Sequence, residues 1–406
     1  MRPSAARLML VVFAPFAAGY FLSFLFRNIN AVIAKDLGAD FSLAPSELGL
    51  LTSAYFLAFA AFQLPLGVLL DRYGPRRVLA TLLCIAGAGA LVFALAQDFV
   101  MLSVGRALIG LGVSGCLMGA IKAFTLWFPP SRLATLNGLY LAVGGLGGLS
   151  ATAPAEAFLG PFGWRALFYV LASASVSVAA LIFVLVPEKP LPGHGQTLRV
   201  QIAGFGRIFS SVSFWRIALP LVVCHAVYQA LQGLWLAPWL YDVAGYQRPA
   251  VATALLTAAI AYTAGSVFFG VSSDRLAQAG ISRMTTYKIG LITSLAMFAL
   301  LAAGLTAGLS ATLAVYAFTS ISVSLAYALM TPIFPPEMTG RVITASNVMM
   351  FGTSFLFQWG IGAVLRLFPE VDGRYAGGAY ATAFWSLAAL QAAAVLWLLP
   401  MREAER

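Results

Sequence analysis

Gly67-Val68-Leu69-Leu70-Asp71-Arg72 closes one long apolar run, and Gly270-Val271-Ser272-Ser273-Asp274-Arg275 closes another. The two stretches lie 203 residues apart in a chain of 406, so the repeat spans half the protein. A second echo has nearly the same period. Phe128-Pro129-Pro130 stands ahead of Arg132 and Asn137, and Phe334-Pro335-Pro336 ahead of Arg341 and Asn347. In a chain this apolar, a halfway duplication predicts two membrane bundles facing one another, with the site between them.

Composition supports the membrane reading. Hydrophobic residues make up 61% of the chain and charged residues 9%, against roughly 25% charged in soluble domains. No water-soluble core absorbs that much apolar surface at this length. The net charge of +10 does not indicate nucleic acid as a partner, because the basic residues are dispersed over short loops. Membrane lipid is the expected surroundings, and a monomer the expected state. Cys84, Cys116 and Cys224 all fall inside apolar runs and read as packing residues rather than a disulfide framework. Arg2 and Arg7 precede an apolar run from about Leu8 to Ile33, too long for a signal peptide and read as the first span.

A spanning helix needs about 20 apolar residues. That ruler predicts an all-α membrane protein of twelve spans, near 8–33, 47–69, 78–96, 99–124, 133–158, 165–186, 215–241, 250–272, 284–305, 310–333, 341–366 and 379–400. The expected domains are a six-helix bundle over 1–186, a cytoplasmic linker over 187–214 and a second six-helix bundle over 215–406. The linker opens with Pro187-Glu188-Lys189-Pro190, which no helix tolerates, and is expected to have a partly helical tail. With the N-terminus inside, fifteen Lys and Arg fall in inner segments and five in outer loops. That bias predicts both termini in the cytoplasm and an inner-membrane location.

Gly67-x-Leu69-x-Asp71-Arg72-x-Gly74-x-Arg76-Arg77 between spans two and three resembles the signature loop of the major facilitator superfamily. Gly105-Arg106-Ala107-Leu108-Ile109-Gly110-Leu111-Gly112 in span four is similar to that superfamily's second signature, and Gly163-Trp164-Arg165 is also common there. The resemblance covers the whole chain and implies a non-enzymatic secondary transporter of two pseudo-symmetric bundles, without a cofactor. Pro75 replaces a basic residue common in the first signature. Span five carries Gly144-Gly145-Leu146-Gly147-Gly148 but lacks the Gly-Pro pair of the drug/proton antiporters, which counts against an efflux pump. Asp71 at a helix end can cap a neighbouring helix or pair with Arg, so Gly67, Asp71, Arg72, Gly74, Arg76 and Arg77 are expected to form a conformational latch. Asp274 and Arg275 form a weaker counterpart; the bland reading is that these arginines only set topology.

The charges embedded in the spans are basic: Arg27, Arg106, Lys122 and Lys288. An ionisable group at the bilayer centre costs about 2.5–3.5 kcal/mol even on insertion scales, so unpaired cations need a reason. Arg27 and Arg106 both sit roughly 10 Å below the outer surface at 1.5 Å per residue. The resemblance implies that spans one and four line the central cavity, where two guanidiniums would face one solute. Paired arginines suit a carboxylate or phosphate through bidentate hydrogen bonds. Organophosphate/phosphate antiporters of the superfamily carry an Arg that Arg27 resembles, but their second, in span seven, has no counterpart here. A phosphate ester is therefore less favoured than an organic carboxylate. The structural alternative is a buried Arg106–Glu156 pair with Arg27 snorkelling outward. Lys122 and Lys288 read as interface residues.

Span seven is the most polar helix. His225, Tyr228, Gln229, Gln232 and Trp235 follow the spacing of one face, as do Tyr20, Phe24 and Arg27 in span one. Both faces are expected to meet substrate, with Tyr327 and Asn347 as weaker additions; interhelical glue is the alternative. His225 and Glu156 are the candidates for proton coupling. Metal and phosphate-loop motifs are not found, and no metal is expected. The sequence thus predicts a carrier of a small organic anion working by alternating access, as anion exchange or proton symport. Its rivals are export of an amphipathic drug or siderophore, and uptake of an amino acid or other small nutrient.

Overall fold

The structure, a computed structural model, describes residues 5–188, 205–335, 338–371 and 374–401. Among them, ten helices are long and apolar enough to cross a membrane. A turn at Ala5–Leu8 and a π-helical turn at Met9–Phe13 lead into α1 (Ala14–Asn28). Helix α2 (Asn30–Phe41) continues it after a one-residue break at Ile29. The first helical run therefore extends past the expected end near residue 33. Lys35, Asp36 and Asp40 lie on that extension, and an apolarity ruler stops at such charges although the helix does not.

Helix α3 (Pro45–Ala94) is a 50-residue run divided at Gly74, whose φ of 77° and ψ of 161° are not helical. Glycine enters that left-handed region without a Cβ clash, and Pro75 then starts the next rod where its missing N–H costs nothing. The signature turn is thus a hinge between two rods. Helices α4 (Phe99–Val113) and α5 (Cys116–Trp127) form one span, followed by α6 (Pro130–Ser150) and α7 (Ala153–Leu185). Helix α7 bends at Gly163, with φ 75°.

After the linker come α8 (Val212–Ala230), a π-helical turn at Leu231–Trp235 and α9 (Leu236–Asp242). Then follow α10 (Arg248–Gln278), α11 (Arg283–Ala302), α12 (Leu309–Ser320), α13 (Leu325–Met330), α14 (Thr339–Leu365) and α15 (Gly377–Leu398). A two-stranded hairpin, β1 (Glu370–Val371) and β2 (Arg374–Tyr375), pairs Glu370 with Tyr375. Helix starts are capped by side chains: Asp98 accepts from Met101 N at 2.7 Å, Ser211 from Phe214 N at 3.2 Å and Ser282 from Thr285 N at 3.1 Å.

The chain forms two compact units, Met1–Leu43 with Leu51–Val200, and Ala44–Leu50 with Gln201–Arg406. Most of the expected linker lies outside the described residues. Its tail at 205–209 is helical, and Ile208 is fully buried in the second unit's core with Phe214, Tyr287 and Phe334. Within each unit, glycines let backbones meet. A Cβ on Gly147 would strike the Phe21 carbonyl, one on Gly110 the Tyr55 carbonyl, and one on Gly265 the Phe318 carbonyl.

Candidate functional site

In the first unit the break at Ile29 sets the geometry. The Ile29 amide donates to the Leu25 carbonyl at 3.0 Å, closing α1. The Phe26 carbonyl, in that last turn, accepts from Arg106 Nη1 at 2.7 Å. Arg106 is fully buried and its guanidinium carbon lies 4.9 Å from the Tyr55 ring centroid. No carboxylate of the described residues lies within ion-pair distance of it; the expected alternative partner, Glu156, is instead half-buried in the first turn of α7. Arg27, one residue along from Phe26, is 8% exposed, with its guanidinium 4.7 Å from the Phe24 ring centroid and 5.4 Å from that of Phe59. Arg106 therefore reaches the turn that carries Arg27.

Tyr20 turns to its own bundle, stacking on Tyr140 at 4.3 Å and meeting Phe24 edge-on at 4.9 Å. Beyond the break, Asn30 Nδ2 donates to Thr52 Oγ1 at 3.1 Å. Tyr55, Phe59 and Thr52 escaped the sequence reading. The i, i+4 spacing of the two aromatic residues was the available signal, but it is indistinguishable from ordinary packing.

In the second unit the expected face of α8 and its extension is buried throughout: His225 9%, Tyr228 5%, Gln229 6%, Gln232 6% and Trp235 2% exposed. His225 meets Phe351 edge-on at 6.2 Å, and Tyr228 stacks on Tyr262 at 4.5 Å. Trp235 Nε1 donates to the Gln358 carbonyl at 2.8 Å, a packing contact. Tyr327 and Asn347 are joined, the Tyr327 hydroxyl donating to Asn347 Oδ1 at 2.8 Å. Gln232 and Trp235 fall in the π-helical turn, whose wider winding rotates them relative to His225 and Tyr228. Gln358, fully buried on α14, was missed.

At the signature turn, Asp71 pairs with Lys122 of the same unit rather than with an arginine, so Lys122 is partnered and not a free snorkelling cation. Arg76 donates to the Phe183 carbonyl at 2.8 Å, and Arg77 pairs with Glu188 at 2.5 Å. Arg72 lies over the Tyr73 ring at 5.2 Å. Gly67 is interior to α3, and the side chains of Asp274 and Arg275 lie outside the described residues. Lys288 donates to the Leu399 and Met401 carbonyls at 2.8 and 2.6 Å, capping the end of α15. Near the hairpin, Asp242 Oδ2 accepts from the Tyr380 hydroxyl at 2.6 Å, and the Tyr375 hydroxyl donates to Glu370 at 3.1 Å. Burial first and the Glu370 carboxylate second push the Tyr375 phenol up to about 12.

The sequence profile of the Major Facilitator Superfamily matches residues 16–358. The probable sulfoacetate transporter SauU of Cupriavidus necator is 25% identical over 375 residues, covering 89% of this chain and 79% of that protein. A nitrate/nitrite transporter, NrtP, of a Picosynechococcus species is 34% identical over 128 residues, or 32% of this chain and 24% of its own. Among solved structures, a bacterial homologue of the human lysosomal transporter Spinster superposes with a TM-score of 0.73 at 19% identity, covering 98% of this chain and 96% of that one. This likeness carries the fold alone. The chain is a multi-pass membrane transporter, not an enzyme, and belongs to the Major Facilitator Superfamily.

Proposed function

We propose that this carrier moves a small organic anion of the carboxylate type by alternating access, as an anion exchanger or proton symporter, with Arg27 as the anion's principal ligand. The observation that carries the reading is a buried arginine in the last turn of α1: Arg27 is 8% exposed, with its guanidinium 4.7 Å from the Phe24 ring centroid and 5.4 Å from that of Phe59. A cation in largely apolar surroundings is costly, and an anionic solute offsets part of that cost during the cycle. Relatives whose names specify sulfoacetate and nitrate/nitrite support the sign of the charge. The twelve-span count is supported by the division of α3 at Gly74 and by α6, a 21-residue helix outside the ten. On this reading the halves are 1–186 and 215–406 joined by 187–214, the protein works as a monomer in the bacterial inner membrane, and both termini face the cytoplasm.

In the second half, His225, Tyr228, Gln229, Gln232, Tyr327 and Asn347 supply neutral hydrogen bonds to the solute, and Tyr20 and Phe24 wall it in the first. The Asp71–Lys122 pair and the Arg76 and Arg77 contacts serve as the latch that rearranges when the carrier turns over. His225 is the favoured group for proton coupling, with Glu156 second. The test is a thermal-shift screen of purified protein against sulfoacetate, succinate, a hexose, an amino acid and a lipophilic cation. Hits are then followed by uptake into proteoliposomes with and without a pH gradient. Stabilisation by the anions that disappears in Arg27→Gln is the expected result. Stabilisation only by neutral or cationic compounds, unchanged in that variant, overturns the anion reading and favours nutrient uptake or export.

A further inference from the structure

We infer that Arg106 does not meet the transported anion but is a positioning residue, holding the end of α1 so that Arg27 presents its guanidinium. This rests on the anion reading of Arg27. Arg106 is fully buried, and its contacts are with the protein: Nη1 donates to the Phe26 carbonyl at 2.7 Å and the guanidinium lies against the Tyr55 ring. Phe26 is the residue directly before Arg27, in the last turn of a helix whose terminal carbonyls are short of intrahelical donors. The contact is a charge-assisted hydrogen bond to a backbone carbonyl rather than an ion pair. Tyr55 adds a second, longer tie to the same turn, its hydroxyl donating to the Ser23 carbonyl at 3.4 Å. Past the break, Asn30 is tied to Thr52, one helical turn from Tyr55 on α3. The Ser23–Asn30 stretch is therefore pinned on both sides of Ile29, and Arg27 lies in the middle.

The span-four signature has a matching account. A Cβ on Gly105 would lie 2.7 Å from the Phe93 amide nitrogen, and on Gly110 and Gly112 it would strike the backbones of Tyr55 and Ala86. These glycines bring α4 so close to α3 that the Arg106 side chain reaches α1. Two buried atoms at this junction, Arg106 Nε and Asn30 Oδ1, have no hydrogen-bond partner. They are a donor and an acceptor that a small rearrangement of this junction could satisfy as Arg27 takes up or releases the anion.

The experiment is a double-mutant cycle on the full-length carrier in nanodiscs and proteoliposomes, with sulfoacetate as the probe anion. It is paired with hydrogen exchange of the backbone over 21–34. Arg106→Gln is expected to speed exchange of that stretch about tenfold relative to the α11 backbone. It should also raise the half-saturating sulfoacetate concentration about tenfold at a maximal rate within about twofold. Arg106→Lys, which still donates one hydrogen bond to a carbonyl, should recover most of both. In the Arg27→Gln background the Arg106→Gln effect on half-saturation should vanish, because the group it positions is gone. Multiplicative effects would mean that Arg106 meets the anion itself, and unchanged exchange over 21–34 would mean that it holds nothing; either overturns the inference. If Arg27→Gln alone leaves sulfoacetate handling unchanged, the anion reading fails and positioning for an anion falls with it. Faster exchange in Arg106→Gln would then identify the tie as purely structural. Should Arg106→Gln not fold, Tyr55→Phe removes only the tie to Ser23 and is read by the same two measurements, with a smaller expected change.

Discussion

The two units carry the same device in opposite electrical form. In the first, the polar turn of the opening helix holds Arg27 with Arg106 donating into it. In the second, the corresponding helix offers Gln229, Gln232 and the stacked Tyr228, with no Lys or Arg between Arg216 and Arg248. Regular helical hydrogen bonding is interrupted in both, at Ile29 in one, whose backbone dihedrals stay helical, and by a π-helical turn at Leu231–Trp235 in the other. On the proposed anion reading, the first unit neutralises the solute's charge and the second directs hydrogen bonds, which discriminate shape and hydroxyl pattern without adding charge.

The sharpest way to break this comparison is to remove the charge. Arg27→Gln is expected to raise the half-saturating concentration of the transported anion about fiftyfold or more, the cost of a lost charge-assisted, bidentate contact in a poorly hydrated site. Arg27→Lys should recover only part of it, since an ammonium lacks the planar fork. Initial-rate uptake in proteoliposomes measures both. Equal losses for anionic and neutral solutes would show that the arginine is structural and would dissolve the division of labour.

The glycines test whether the units share one packing rule. Gly110→Ala places a Cβ against the Tyr55 carbonyl, and Gly265→Ala places one against the Phe318 carbonyl. Overpacking of this kind costs about 1–3 kcal/mol, so each should lower the apparent Tm by about 4 °C or more. Gly270→Ala meets nothing within 4 Å and should change Tm by less than about 1 °C. Scanning fluorimetry at a fixed heating rate, in one detergent, gives the ranking.

The division between units was legible in the sequence because it is written in residue type. A run with Arg at 27 and one with Gln at 229 and 232 differ at sight, and the halfway repeat aligned them. The geometry was not legible. Ile29 carries no proline or glycine to announce a break, and the π-helical turn requires one extra residue per turn rather than any particular side chain. Partner choice was hidden for a different reason. Lys122 and Asp71 are 51 positions apart and on different helices, so angular offsets along a single helix could separate Lys122 from the face of Arg106 but not set it beside Asp71. For Arg106, the sequence left the partner open, because a backbone carbonyl leaves no mark on the sequence. The first signature was recognisable as a motif, yet its turn is made by Gly74 and Pro75 together, and Pro75 reads as a departure until the hinge is seen.

A finer test of the neutral half is Gln232→Leu, which keeps volume and removes the amide. One neutral hydrogen bond is worth about 1 kcal/mol, so half-saturation should rise about fivefold while Tm holds or rises. A loss in maximal rate instead would assign the π-helical turn to the conformational step. Gln232→Arg places a cation in the second unit. It should favour solutes with two anionic groups over those with one, measured as the uptake ratio of succinate to acetate.

The smallest effect is expected at the first signature. The Asp71–Lys122 pair is partly exposed, with side-chain exposures of 39% and 25%, and such pairs contribute about 0–1 kcal/mol. Asp71→Asn and Lys122→Met should each leave Tm within about 2 °C. If the pair is only a static tie, transport follows Tm and stays near normal. If it belongs to a latch, the two variants change maximal rate about threefold or more with Tm unmoved. The double variant then equals either single one, because a contact can be removed only once. Rate and stability measured side by side on these three proteins separate a topological charge from a moving part, and they extend the comparison of the units from binding to the cycle itself.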